Sequence, residues 1–352
     1  MKSLYANHNN FVLSELTWNK TKNLQQGSCI ECDKNTDPNM YNNFEIMNKW
    51  IGLSDFYNEE WMPYIICFDS FEDLKIKFNY PFIFNLPFGV EAEFSLFKKD
   101  TLWFEVNRQL GIQYLFSGNN SIKIFAGKKT NNLISVSVYQ NQSKLPDVAD
   151  MQLLNYGLEF QWQNLDYRFN PRTGYDINIT ATAGQRSIKR NIKFPEVWYD
   201  SLNLKTNQYR MDANADCYYP IGKLSVLNIG VSTSYLQGEN YFSNELIRFG
   251  GLKSLRGFNE TSFSASSLVI GKLEYRVLLE QNSFLFLFFN QAYYEDLSKS
   301  PSYNDHPYGL GAGLNFETKA GIFSFTYAVG SLQDKALQFK DAKIHFGLVN
   351  LF

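Results

Sequence analysis

The residues able to carry covalent or metal chemistry are few in this chain and poorly spaced for it. The three histidines, His8, His306 and His345, lie far apart and lack the spacing of a ligand set. Cys29 and Cys32 form one Cys-x-x-Cys pair, but zinc takes four ligands and neither Cys67 nor Cys217 completes a second pair. The pair therefore reads as a local loop disulfide or two ordinary thiols. Gly309-Leu-Gly-Ala-Gly313 superficially resembles a phosphate loop, yet its glycines alternate along a strand and no helix follows, so they read as a crowded wall. Glu91 and Glu93 read as solvated wall rather than an acid and base pair, and no Gly-x-Ser-x-Gly elbow occurs. The expectation is a protein that is not an enzyme and carries no cofactor or metal.

A different chemistry is written in Asn244-Glu-Leu-Ile-Arg-Phe-Gly-Gly-Leu-Lys-Ser-Leu-Arg-Gly-Phe258. Gly250, Gly251 and Gly257 mark a tightly turned loop, and Arg256 inside it is a planar, permanently charged donor suited to clamping a buried carboxylate. The plain alternative is a mobile surface loop.

The elements around this loop alternate with period two. Leu74, Ile76, Phe78 and Tyr80 share one face against Lys75, Lys77 and Asn79, and Tyr175 to Ala183 and Ile322 to Val329 repeat the pattern. The polar face is mostly Asn, Thr, Ser, Gly and Gln, and the apolar face often ends in aromatics, as in Tyr308, Leu310, Ala312, Leu314 and Phe316. Such a face suits a lipid band between two aromatic girdles better than the inner face of a soluble sandwich. The 352 residues are 17% aromatic at a mean hydropathy of -0.31, the pairing expected of an outer-membrane barrel. A net charge of -2 argues against a nucleic-acid partner. No apolar run reaches the ~18 residues of a membrane helix, and the opening Met1-Lys-Ser-Leu-Tyr-Ala lacks the core of a signal peptide. A barrel must cross the inner membrane, so a removed signal or a fragment is inferred.

Counting back from the C-terminus, strands are expected over 343–352, 322–330, 308–318, 283–294, 268–278, 223–236, 208–219, 175–186, 152–163, 121–138, 102–116, 90–97, 74–80 and 61–68. Two weaker ones fall within 44–53 and 11–19, for about sixteen in all, and the elements within 1–55 are the least defined. Connections at 319–321, 220–222 and 116–120 are tight, whereas 295–306 and 237–267 are long, as periplasmic turns and extracellular loops would be. Arg108 falls on the apolar face, which predicts a bulge or a position near the interface. The fold expected is all-β: one antiparallel transmembrane barrel spanning residues 1–352.

The Gly-Gly followed by Leu255-Arg256-Gly257-Phe258 resembles the inward-folded sixth loop of the BamA and TamA superfamily of outer-membrane assembly and translocation barrels, the surface-antigen type. Glu274-Tyr-Arg276 resembles the family's twelfth strand, whose Glu faces the lumen and pairs with the loop Arg. Five candidate strands follow the loop, as the family requires. Asn170-Pro-Arg-Thr-Gly174 and Asn79-Tyr-Pro81 through Pro87-Phe-Gly89 resemble its periplasmic turns, so the likeness runs from about Phe44 onward. Two departures stand out. Asn290 replaces an Asp expected on the thirteenth strand, which leaves Glu274 as the charged partner; and the residues before Phe11 are too few for a polypeptide-transport-associated domain. The C-terminal barrel signal is represented by His345, Gly347 and Phe352, with Asn350 at an atypical place.

The resemblance implies a role in inserting or translocating proteins at the outer membrane of a Gram-negative bacterium. Its implied partners are outer-membrane lipids, unfolded outer-membrane or secreted clients and other envelope subunits. The alternatives are a structural subunit of a larger envelope complex and a solute-conducting pore.

Overall fold

A computed structural model describes residues 12–19 and 73–349, apart from 101, 118–119, 137–138, 140–144, 319–320, 334 and 336. The alternating stretches pair with their sequence neighbours into one antiparallel sheet. It begins with β1 (Val12–Asn19), β2 (Asp73–Tyr80), β3 (Phe88–Lys99), β4 (Trp103–Ser117), β5 (Asn120–Leu133), β6 (Met151–Leu165), β7 (Gly174–Ile188), β8 (Lys205–Pro220) and β9 (Ser225–Gln237). A long loop holding the small hairpin β10 (Ile247–Phe249) and β11 (Phe263–Ala265) follows. The sheet resumes with β12 (Ser267–Leu278), β13 (Phe284–Asp296), β15 (Tyr308–Thr318), β16 (Gly321–Ser331) and β17 (Lys343–Val349), with the short β14 (Tyr303–Asp305) folded onto β13. β9 pairs directly with β12, so the loop leaves the sheet and rejoins it without breaking the ladder.

Polarity is inverted relative to a water-soluble protein. β13 turns Leu285, Leu287, Phe289 and Tyr293 outward, 40–61% exposed, and buries Phe284, Phe286, Phe288 and Asn290. β4 exposes Leu110, Ile112 and Tyr114 while burying Glu105 and Gln113; β5 exposes Ile122 and Ile124 while burying Lys123 and Asn131. Large apolar side chains outside and charges inside are the arrangement of a transmembrane β-barrel, in which ladder pairing satisfies the backbone where no water reaches. Phe116, Phe160, Trp162 and Tyr175 form a chain of ring contacts 5.5–6.4 Å apart, an aromatic girdle on the side of the short turns. No helix among the described residues is long and apolar enough to cross a membrane.

Connections at 81–87, 166–173, 221–224 and 279–283 are short and share one end of the strands; those at 134–150, 189–204, 238–266, 297–307 and 332–342 are long and share the other. On the long-loop side a buried apolar cluster that includes Phe97, Trp103, Met151, Phe194 and Tyr199 caps β3 to β8. Two polar ties fix it: Asp150 accepts from Leu133 N at 2.6 Å and from Asn191 Nδ2 at 2.6 Å.

Fourteen of the sixteen expected strands lie among the described residues and all are present; those expected within 44–53 and 61–68 lie outside them. β1 pairs directly with β2, from Val12↔Asn79 to Asn19↔Asp73. The strand expected over 121–138 ends at Leu133, because the apolar alternation beyond it belongs to the cap, where Val136 is buried. Of the two alternatives expected for Arg108, a bulge or a position near the interface, the bulge is not there: its register with Phe94 and Lys128 is regular, and the irregularity in β4 falls between Leu115 and Ser117.

This polarity predicts that Leu287→Arg, a charge in the lipid band, lowers barrel stability in phospholipid vesicles by roughly 2 to 4 kcal/mol near the midplane. Urea unfolding in vesicles measures this, and a loss below about 0.5 kcal/mol would show that Leu287 does not face lipid.

Candidate functional site

The loop at 238–266 folds into the lumen and is held there by three arginine clamps on different parts of the wall. At its start, Arg186 of β7 donates to Glu245 Oε1 at 2.6 Å and to Thr206 Oγ1 at 3.1 Å, while Gln208 of β8 donates to Glu245 Oε2 at 2.7 Å. Asn244 beside it exchanges hydrogen bonds with the Ala149 backbone and accepts one on its carbonyl from Asn131. Next along the loop, Arg248 donates to Glu105 of β4 at 3.0 Å and lies 3.9 Å over the Phe97 ring; Lys129 of β5 reaches the same carboxylate at 2.8 Å.

The third clamp holds the tip. Arg256 donates through one terminal nitrogen to Glu274 Oε2 at 2.7 Å and through the other to Asn290 Oδ1 at 3.0 Å, with its guanidinium 3.7 Å over the Phe288 ring. Charge-assisted bonds and a ring face satisfy a cation whose side chain is only 8% exposed. Arg276, two residues from Glu274 on the same lumen face, donates to Glu274 Oε1 at 2.8 Å and to Asn170 Oδ1 at 3.3 Å. Asn170 in turn donates to the Gln281 carbonyl, so the ladder runs from the loop tip to the short-turn end. Asn290 also donates to the Ser254 carbonyl at 3.1 Å, so the neutral residue accepts from the clamp and fixes the loop backbone as well.

Two paired glycines make the floor. Gly309 of β15 opposes Gly330 of β16, and a Cβ on Gly309 would fall on the Arg256 carbonyl oxygen, while one on Gly330 would lie 2.7 Å from the Gly257 oxygen. The loop tip thus rests on bare backbone. Gly257 itself has φ 97, a left-handed conformation that a side chain resists. Its N–H donates to His345 Nε2 of β17 at 3.3 Å, and Leu252 packs 3.0 Å from where a Cβ of Gly347 would be. Phe258 stacks edge-on against Phe263 of β11, centroids 5.0 Å apart. Within the loop, burial raises the Glu260 carboxyl above the usual carboxylate range, although the Leu252 N–H donates to it.

Arg256, Glu274 and Asn290 therefore meet, and Gly257, His345 and Gly347 lie beside them. Phe352, Cys29, Cys32 and Cys67 lie outside the described residues, and Cys217 is a free thiol on β8. The glycines of 309–313 are a crowded wall, since Phe286 and Phe288 lie where side chains on Gly313 and Gly311 would be. Sequence reasoning did not find Arg186, Glu245, Arg248, Glu105, Arg276 or Phe288. The Glu274-x-Arg276 spacing, which puts both side chains on one strand face, was a usable signal for Arg276.

The sequence profile of the Omp85 superfamily domain matches residues 85–352. No curated protein sequence matches the chain. Among solved structures, BamA from Haemophilus ducreyi lacking POTRA domains 1–3 superposes with a TM-score of 0.56 at 14% identity over 78% of this chain and 60% of that one. CdiB from Acinetobacter baumannii gives 0.44 at 13% identity and CdiB from Escherichia coli 0.49 at 12%, each over 78% of this chain and over 55% and 58% of theirs. The chain thus spans about 60% of the length of the BamA chain that it resembles.

In a double-mutant cycle, Arg256→Ala and Glu274→Ala should couple by more than about 1 kcal/mol, above the usual range of exposed pairs. Thermal unfolding and protease cleavage of the loop would measure it; additive losses would refute an energetic clamp. Asn290→Ala should cost less than Glu274→Ala, since a neutral acceptor makes the weaker bond. Gly309→Val should release the loop to protease with Arg256 intact, because its side chain would occupy the place of the Arg256 carbonyl.

Proposed function

Because this outer-membrane barrel belongs to the Omp85 superfamily, we propose that it assists the insertion or translocation of unfolded proteins at the outer membrane, using the edge between β1 and β17 as its working seam. The observation that carries the reading is the arginine-clamped loop, held against the wall that leads to the last strand. Among the described residues the sheet order begins at β1 and ends at β17, with no pairing between these two. A strand edge with unpaired N–H and C=O groups is a template on which a client strand can add.

The lumen side of β17 is occupied by the loop tip through His345 and Gly347, so the loop and the terminal strand are mechanically joined. Moving the tip would change the support under the seam. No bond is made or broken in such a device. Its work is to lower the barrier to strand insertion by offering an edge and by disturbing the bilayer where the wall is least continuous. A lumen crossed by three clamps weighs against a wide solute pore.

The reading is tested with one cysteine placed within β1 and one within β17, on a background with the four native cysteines replaced. In outer-membrane vesicles from cells carrying this variant, oxidation should block folding of a client barrel and reduction should restore it. Activity indifferent to the crosslink would overturn the seam as the working element.

A further inference from the structure

The lipid-facing wall carries one feature that neither the loop nor the seam uses. Arg108 of β4 and Lys128 of β5 are direct register partners, both exposed on the face that otherwise presents Leu110, Ile112, Ile122 and Ile124 to the bilayer. Like charges directly opposite each other in a sheet are unfavourable, and cations in the lipid band more so. Among the described residues no carboxylate forms an ion pair with either.

Their height explains how they are tolerated. Arg108 lies eight residues from Phe116 of the girdle, roughly 20 Å along the barrel axis at ~3.4 Å per residue and a tilt of ~40°. Beyond Lys128 the outward positions of β5 are Thr130 and Asn132, so the apolar band on this strand ends at the cations. On β4 the apolar face continues past Arg108 at Val106 and Phe104, so the pair stands just inside the long-loop margin of the apolar band, and the two long side chains snorkel toward headgroup level.

An open hollow of about 480 Å³ lies on the wall at the pair, with both cations among its lining residues. Ala126 sets its floor between its register partners Leu110 and Tyr156, with Leu154 beside Lys128, while Ala92 lies on the far side of Leu110 next to Phe94. A small residue between two large ones leaves a hollow for part of an acyl chain, with Lys128 next above Ala126 on its own strand and Arg108 above Leu110.

We propose that Arg108, Lys128 and this hollow form a binding site for one anionic lipid on the long-loop side, its phosphate between the two basic groups and an acyl chain over Ala126, between Leu110 and Tyr156. The lipid phosphate is the counter-charge that the protein does not supply. Guanidinium and ammonium both donate well to phosphate oxygens, and a membrane-surface cation gains several-fold in anionic-lipid affinity.

The test is native mass spectrometry of the detergent-purified full chain titrated with phosphatidylglycerol or with phosphatidylcholine of the same acyl chains. Wild type should retain one phosphatidylglycerol with about thirtyfold preference, as two basic groups at a membrane surface imply. Arg108→Gln with Lys128→Gln should reduce the preference to about twofold or less, while Arg108→Lys should keep most of it. Ala126→Phe, which fills the hollow but leaves the charges, should weaken retention of both lipids. Folding of each variant is checked by the heat-dependent shift of the unboiled barrel on a gel, and Arg172→Gln in an exposed turn serves as the charge control. Undiminished preference in the double variant, or an equal loss in Arg172→Gln, would overturn the site. Displacement by millimolar inorganic phosphate, or unchanged retention in Ala126→Phe, would overturn the lipid as its occupant.

Discussion

A strand sheet in hydrocarbon must pair all of its backbone polar groups within itself, and the rest of this structure follows from that requirement. Curling the wall sends one face of every strand inward, and the inward positions must then be filled by groups that satisfy each other. The lumen does this with charge. Lys123 bridges Glu91 and Glu159, Lys77 also reaches Glu91, and Lys129 shares Glu105 with Arg248. Each pair joins strands or the loop across distances that sequence spacing does not encode, so the polar interior ties the wall together where a soluble protein would use an apolar core.

The loop exploits this interior. Arginine suits all three clamps because a guanidinium presents several donors in one plane and still offers its face to a ring. Arg256 uses both properties at once, with Glu274 and Asn290 at its edge and Phe288 at its face. A lysine in its place would keep the charge and lose the second acceptor and the stacking. Asn290 on β13 brings no negative charge to the tip, and Arg276 gives Glu274 a second cation. The carboxylate is then the shared centre of the ladder, and its loss would leave two buried cations facing each other.

Strand existence was readable from the sequence because period-two alternation is a local property, and fourteen strands stand where alternation placed them. Strand ends were less readable. The 121–138 segment keeps its apolar rhythm past Leu133 although those residues pack into the cap, since periodicity reports a buried face and not which body buries it. The clamp at Arg256 was readable through resemblance, whereas Arg186 and Arg248 were not. Their partners Glu245 and Glu105 lie 59 and 143 residues away and meet them only when the sheet curls.

The aromatics of β13 show where alternation misleads and why. Phe284-Leu-Phe-Leu-Phe-Phe289 is apolar on both faces, so pattern alone cannot tell lipid side from lumen side. Inside, Phe288 and Phe286 carry the Arg256 guanidinium, and Phe284 lies 4.8 Å under that of Arg276. Opposite Phe286, Phe288 and Asn290 on β15 stand Gly313, Gly311 and Gly309, so two large rings and the clamp's neutral acceptor face bare backbone on the next strand. The two stretches that looked least informative, a continuous apolar run and a row of alternating glycines, are thus one construction. Together they supply the ring face and the floor without which the loop tip could not reach the wall.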